Sequence, residues 1–351
     1  MKIFIDIGHP AHVHYFRNFI KIMEDKGHEF FICARDKEVT HSLLNSYGFK
    51  YSSRGKGRKG LIGKLFHITE ADYRIFKLAR IFKPDIFLSF GSAYAAHVSK
   101  LVHKPHIAFD DTEHAKYEHL MYVPFTNVIL TPKCFHKNLG DKQIFFDGYM
   151  ELCYLHPNYY TPDASILNLL GINKEEKFVI IRFVSWSASH DVGHAGLSIE
   201  MKHKAVKELS KHAKIFISSE GELPEDLKQY QIKIPVEKMH DALYYASMYF
   251  GDGGTMASES AVLGTPAILV SSSTTGYLTE EEETYDLIYR FTGQIESQQK
   301  ALDKALTLII MKDLKMLWRE KSAKLLRDKI DVTAYMVNFI QDFYKKNNND
   351  K

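Results

Sequence analysis

Apolar positions along this chain repeat with two periods in turn. Residues 2–7 (KIFIDI), 29–34 (EFFICA), 49–53, 85–90 (DIFLSF), 106–109 and 127–130 form short runs that predict strands. Between them, 14–25 carries Phe16, Phe19, Ile20 and Met23 at helical spacing, and 37–47, 70–82 and 92–102 predict further helices. The helix 37–47 ends at Gly48, and 70–82 stops before Pro84. Residues 156–163 (HPNYYTPD) hold two prolines and few core side chains, which predicts a linker. The alternation then restarts. Strands are expected at 178–183 (FVIIRF), 213–218 (AKIFIS), 248–251 and 267–271 (AILVS), with a short extended piece at 232–234. Helices are expected at 200–212, 239–246, 255–263, 300–311 and 314–328, and a last amphipathic helix spans 331–345. A β-α-β-α series on each side of a linker predicts an α/β protein with two mainly parallel sheets, each covered on both faces. The expected division is 1–155, 156–330, and 331–351 as a C-terminal helix with a polar tail.

Ligands of open parallel sheets bind beyond the carboxyl ends of the strands, so the chemistry belongs in the loops there. The most specific is 251–266 (GDGGTMASESAVLGTP). Gly253 and Gly254 let the backbone approach an anion, and Thr255 opens a helix whose first amides and dipole favour a diphosphate. Glu259, about one turn in, can accept hydrogen bonds from two ribose hydroxyls. After strand 178–183 come Ser185, Ser187 and Ser189, whose hydroxyls can wrap phosphate oxygens, with Trp186 between them. After the first strand stand His9, His12 and His14, three imidazoles at a strand end where a general base or a substrate ligand belongs. Asp110, Asp111, Glu113 and His114 crowd another strand end, where carboxylates raise one another's pKa. For each cluster a plainer reading stands beside the functional one: a tight strand–turn–helix corner, an N-cap group, or a solvated loop.

The composition removes several classes. Of 351 residues, 45% are hydrophobic and 25% charged, which suits two globular domains. The net charge of +3 gives no general attraction for nucleic acid. The three cysteines are scattered and lack metal or disulfide spacing, so no cofactor or metal is expected and the compartment reads as reducing, hence cytoplasmic. The first residues lack the features of a signal peptide, and no apolar run has spanning length. Residues 50–69 (KYSSRGKGRKGLIGKLFHIT) hold six basic and no acidic residues. They suit either contact with an anionic membrane at its inner face or a solvated loop beside the binding region.

Together these residues resemble the GT-B superfamily, and the opening IDIGHPAHVHYF resembles that of the family called DUF354. That family is similar to MurG-type N-acetylglucosaminyltransferases and to non-hydrolysing UDP-N-acetylglucosamine 2-epimerases. The resemblance implies two Rossmann-like domains with parallel sheets facing a central cleft, and a C-terminal helix that crosses back to the first domain. It implies a glycosyltransferase that takes a sugar from a nucleotide diphosphate, UDP-linked, by a metal-independent inverting mechanism. The acceptor would be a glycan or a lipid-linked molecule. His12 falls where the transferases place a His base, with Asp110 and Asp111 as the runners-up, although His9, Pro10 and Ala11 replace the transferases' glycines. Gly91 and Ser92, with Glu113 and His114, fall on the acceptor side. Gly253, Gly254, Thr255 and Glu259 match the donor loop, and residues 185–189 stand at a second phosphate loop. The alternatives are a nucleotide-sugar epimerase and a non-catalytic sugar-nucleotide binder.

Overall fold

The computed structural model describes residues 1–37, 39–57, 61–184, 196–272 and 275–349; the side chains of 61–67, 348 and 349 are left aside. The serine loop 185–189 therefore lies outside the described residues. The chain divides into two compact units, Met1–Tyr159 with Ile330–Lys351, and Tyr160–Lys329.

In the first unit the strands are β1 (Lys2–Ile7), β2 (Glu29–Ala34), β3 (Tyr51–Ser53), β4 (Ile86–Phe90), β5 (His106–Phe109), β6 (Val128–Pro132) and β7 (Gln143–Phe146). Among the described residues they form one parallel sheet in the order β3-β2-β1-β4-β5-β6-β7. Ile3, Phe4, Ile5 and Ile7 of β1 are fully buried, as expected for a strand covered on both faces. Chain order reverses between β1 and β4, so the loops that follow these two strands sit side by side.

The second unit holds β8 (Phe178–Phe183), β9 (Lys214–Ser219), β10 (Met248–Gly251), β11 (Ala267–Val270) and β12 (Ile288–Phe291). Their order is β12-β11-β10-β8-β9, again parallel, with the reversal between β8 and β10.

The last helix, Val332–Asn349, packs on the first unit. It buries Val332, Met336 and Ile340, and Thr333 Oγ1 donates to the Cys153 carbonyl at 2.8 Å.

Several elements depart from the sequence pattern for local reasons. The first helix begins at Pro10, because His9 caps it through Nδ1, 3.2 Å from the Ala11 amide, and proline suits the first helical position. The basic stretch is no single loop. It contains β3, then Arg54, which is 4% exposed, then the start of helix Leu61–Phe82. Strands β7 and β12 lie at sheet edges, where short segments carry a weak alternation signal. Residues 232–234 form no strand, and nearby only an isolated bridge joins Ile217 to Gln231.

Candidate functional site

The first unit gathers its chemistry where β1, β4 and β5 end. Gly8 donates its N–H to His12 Nδ1 at 3.3 Å, which leaves the proton of the neutral ring on Nε2. Burial, with the charges of Lys37 and Arg54, lowers the His12 pKa to about 3, so the ring stays neutral at ordinary pH. The ring packs on Phe90 at 4.8 Å and beside His9 at 5.9 Å. Behind it, Arg54 donates Nε–H to Asp6 Oδ1 at 3.0 Å, and Ser92 Oγ donates to Asp6 Oδ2. Ser92 also caps helix Ala93–Leu101, so its hydroxyl serves the scaffold. Asp6 is fully buried and Arg54 almost so, which makes this a desolvated ion pair anchoring the loop.

His14 lies two residues past His12 and faces elsewhere. Its Nδ1 is 3.2 Å from Tyr47 OH and its ring stacks on Tyr154 at 5.1 Å. Helical geometry separates positions two apart, so the structure does not bring the three histidines together.

Gly91 turns with φ +54°, and a side chain there would meet Tyr122 and Asp110. Asp110 accepts from Tyr122 OH at 2.5 Å, from the Thr112 amide at 2.8 Å, and pairs with His119 Nε2 at 2.9 Å. Lys137 Nζ donates to His119 Nδ1 at 2.6 Å, which directs the Nε2 proton to Asp110. Asp110 is therefore occupied by its own surroundings. Its neighbour Asp111 accepts from Thr112 Oγ1 at 3.0 Å, and burial, with the Asp110 charge beside it, raises its pKa above the usual carboxylate range. Glu113 and His114 are half-buried in the turn that follows, with Glu113 Oε1 3.4 Å from the His136 amide.

In the second unit, β10 runs into helix Gly254–Val262 through Asp252 and Gly253. Gly251 is required by packing, because a Cβ there would stand 2.5 Å from the Arg182 carbonyl of β8. Tyr249 OH donates to the Gly253 carbonyl at 2.8 Å and accepts its amide at 3.2 Å, which fixes the turn from below. Gly253 supplies no side-chain cap, so no cap competes with an anion for the first amides of the helix, at Gly254 and Thr255. Asp252, 1% exposed, accepts from the Val184 amide at 2.7 Å and the Leu197 amide at 3.3 Å. It thus ties both flanks of the 185–195 segment to the glycine turn. Glu259 is buried, with Oε1 3.0 Å from His240 Nε2. Thr275 precedes helix Gly276–Glu283 with a buried hydroxyl that has no partner among the described residues.

The model of the family described as "Protein of unknown function (DUF354)" matches residues 1–342. The chain belongs to the DUF354 family. "Uncharacterized protein MJ0665" of Methanocaldococcus jannaschii is 27% identical over 278 residues, 76% of this chain and 81% of that protein. Among solved structures, the S. aureus MnaA-UDP co-structure superposes with TM-score 0.69 at 13% identity, covering 98% of this chain and 97% of that one. The Neisseria meningitidis UDP-GlcNAc 2-epimerase bound to UDP-GlcNAc gives 0.69 at 12% identity over 97% and 100%. The spinosyn rhamnosyltransferase SpnG, complexed with spinosyn aglycone, gives 0.64 at 12% over 97% and 100%. These likenesses show for the DUF354 chain a GT-B-like fold. Among its described residues no group of three or more His, Cys, Asp or Glu can hold a metal ion, and no helix is long and apolar enough to cross a membrane.

Asp6, Arg54, His119, Tyr122, Tyr249, Asp252 and His240 were not singled out from the sequence. Asp6 had a signal, a carboxylate inside an otherwise apolar strand. Asp252 sat within the glycine motif. Tyr249 lies on β10, and the others come from helices or neighbouring loops with no motif of their own.

Proposed function

We propose that this DUF354 protein is a glycosyltransferase that uses a nucleotide-diphosphate sugar, UDP-linked, to glycosylate a glycan or lipid-linked acceptor by a metal-independent inverting mechanism. The observation that carries the reading is the uncapped start of helix Gly254–Val262 behind the glycine turn, beside the end of β8 at the point where strand order reverses. The amides of Gly254 and Thr255, reached past Gly253, take the diphosphate, Ser185, Ser187 and Ser189 supply further phosphate contacts, and Glu259 takes the ribose. The departing negative charge is stabilised by the same helix start.

The acceptor belongs to the first unit, with Gly91, Ser92, Glu113 and His114 at its side. An imidazole that accepts at Nδ1 and titrates near 3 suits donation from Nε2 to a substrate oxygen. Asp111, whose pKa burial and the Asp110 charge raise above the usual carboxylate range, is the stronger base of the two and is better matched to taking the acceptor proton. The reading therefore gives His12 an orienting and polarising role and Asp111 the base role. A cytoplasmic location with peripheral membrane contact is supported by the basic stretch 50–69 and by the exposed Tyr117 and Leu120 on helix Lys116–Tyr122.

A second reading is a nucleotide-sugar 2-epimerase, favoured by that same protonatable Asp111 and by the likeness in fold to the Neisseria meningitidis UDP-GlcNAc 2-epimerase. A thermal-shift screen of nucleotides tests the common part, and a protein that responds to none of them is not a nucleotide-sugar enzyme. Incubation with UDP-N-acetylglucosamine and an acceptor panel separates the rest. Free UDP with a glycosylated product supports transfer, a changed sugar on UDP supports epimerisation, and tight binding without turnover supports a binder. Wild-type turnover in both His12→Ala and Asp111→Asn would remove both residues from the mechanism.

A further inference from the structure

The glycine turn occupies the carboxyl edge of the second unit's sheet. At the opposite edge, where β8 and β10 begin, lies a cavity of about 290 Å³. A smaller space of about 60 Å³ adjoins it and shares Lys177, Ser247 and Lys315. The length of β8 separates this cavity from the glycine turn by roughly 17 Å at ~3.3 Å per residue. Nothing in the proposed reaction uses it.

Its walls are basic. Lys174 and Lys177 come from the segment before β8, Lys312 precedes helix Leu314–Asp328, and Lys315 and Arg319 lie on that helix. Glu175 and Glu176 are the opposing carboxylates, and Glu176 Oε2 accepts the Asn173 amide at 2.7 Å. Tyr244 and Tyr245, from the end of helix Met239–Tyr245, flank the cations: the Arg319 guanidinium lies 3.8 Å from the Tyr244 ring centre.

Three of the cations are held in place by the scaffold. Lys177 Nζ donates to the Ile309 carbonyl at 2.6 Å, and Lys315 Nζ donates to the Ala246 carbonyl at 3.0 Å. Arg319 donates to the hydroxyl and carbonyl of Tyr244. An ammonium carries three N–H groups and a guanidinium five, so each retains donors for a ligand. Lys315 and Arg319 are four apart on one helix, where like charges repel. A dianion seated between them removes that repulsion and replaces lost water.

We propose that this cavity is a second ligand site, which binds a phosphate-class dianion, as inorganic phosphate or a phosphate monoester, through Lys177, Lys315 and Arg319. The proposal is independent of the nucleotide reading, because it concerns the other edge of the sheet.

Proton uptake at Lys315 gives the site a signature. Burial, with the Arg319 charge beside it, lowers the Lys315 pKa to about 7. The dianion prefers the protonated form, which falls roughly tenfold between pH 6 and pH 8 for a group titrating there. Sulfate keeps its charge over that range and isolates the lysine. The experiment titrates sulfate into the full chain at constant ionic strength and follows the melting temperature. The wild type is expected to show saturable stabilisation whose midpoint concentration rises up to about tenfold from pH 6 to pH 8. Lys315→Met should lose the saturable part. Lys315→Arg should keep it with a midpoint that no longer moves with pH. Inorganic phosphate and a hexose phosphate, titrated at one pH, then tell whether the cavity takes the free ion alone or the monoester as well. Identical sulfate curves for the wild type and Lys315→Met, or a wild-type midpoint unmoved by pH, overturn the proposal.

Discussion

Asp252 makes a quantitative test of how the second unit is held together around its glycine turn. The side chain is buried, and its two oxygens receive the amides of Val184 at 2.7 Å and Leu197 at 3.3 Å. A hydrogen bond to a charged acceptor contributes about 1.5–3 kcal/mol, and the longer bond belongs at the lower end of that range. Asp252→Asn keeps one acceptor oxygen but turns an amide N–H₂ toward the second backbone N–H, so it is expected to cost about 2–3 kcal/mol. Asp252→Ala removes both acceptors and leaves a gap, for about 4 kcal/mol. The chain's two tryptophans, Trp186 and Trp318, both fall within Tyr160–Lys329, so tryptophan fluorescence follows this unit's unfolding in urea or heat. For a unit of this size each kcal/mol moves the melting temperature about 2–4 °C, so the Asn variant should melt about 4–12 °C lower. Hydrogen exchange at the Val184 and Leu197 amides should accelerate in step. If both amides keep wild-type protection and stability changes by less than about 0.5 kcal/mol, within the range of neutral surface changes, Asp252 does not tie the loop.

Three further outcomes follow from named contacts. Gly251→Ala places a methyl 2.5 Å from the Arg182 carbonyl, so it should destabilise the second unit by about 1–3 kcal/mol in tryptophan-monitored unfolding; wild-type stability would contradict that packing. Arg54→Met leaves Asp6 buried without its partner and should cost the first unit about 3–5 kcal/mol, seen by circular dichroism as an earlier transition while tryptophan fluorescence is unmoved. Burial raises the Glu281 pKa to about 8, so the native state keeps a proton that the unfolded chain releases in the usual carboxylate range. Its contribution to stability therefore falls as pH rises from that range to about 8. Glu281→Gln should gain stability over the wild type progressively across that window, and a pH-independent difference would contradict it.

The doubly wound character of both halves was legible because a parallel strand buried on both faces is apolar over most of its length, as in the IFI of KIFIDI and the FVII of FVIIRF. The glycine turn was legible for a related reason: close approach of β10 to β8 admits no side chain at Gly251, and that exclusion is written into the residue type. An edge strand such as β12 was not, since its four residues are too short to carry an apolar period that marks it.

Charge partners were the part left to the tertiary structure. In sequence, Asp110 and Asp111 are adjacent and chemically alike. The fold gives Asp110 a tyrosine, a histidine and an amide, and gives Asp111 the Thr112 hydroxyl and a buried place beside that charge, which separates their environments. The three histidines read as one cluster, yet about half a turn of helix sends His14 to Tyr47 and Tyr154 while His12 stays with Gly8 and Phe90. Arg54 looked like one basic residue among six and became the buried partner of Asp6. The sequence by itself determined most of the element types, the sheet class and the glycine turn before helix Gly254–Val262, because those depend on local geometry and apolar burial. Protonation states and the pairing of distant polar groups depend on which side chains desolvate one another, and only the folded chain decides that.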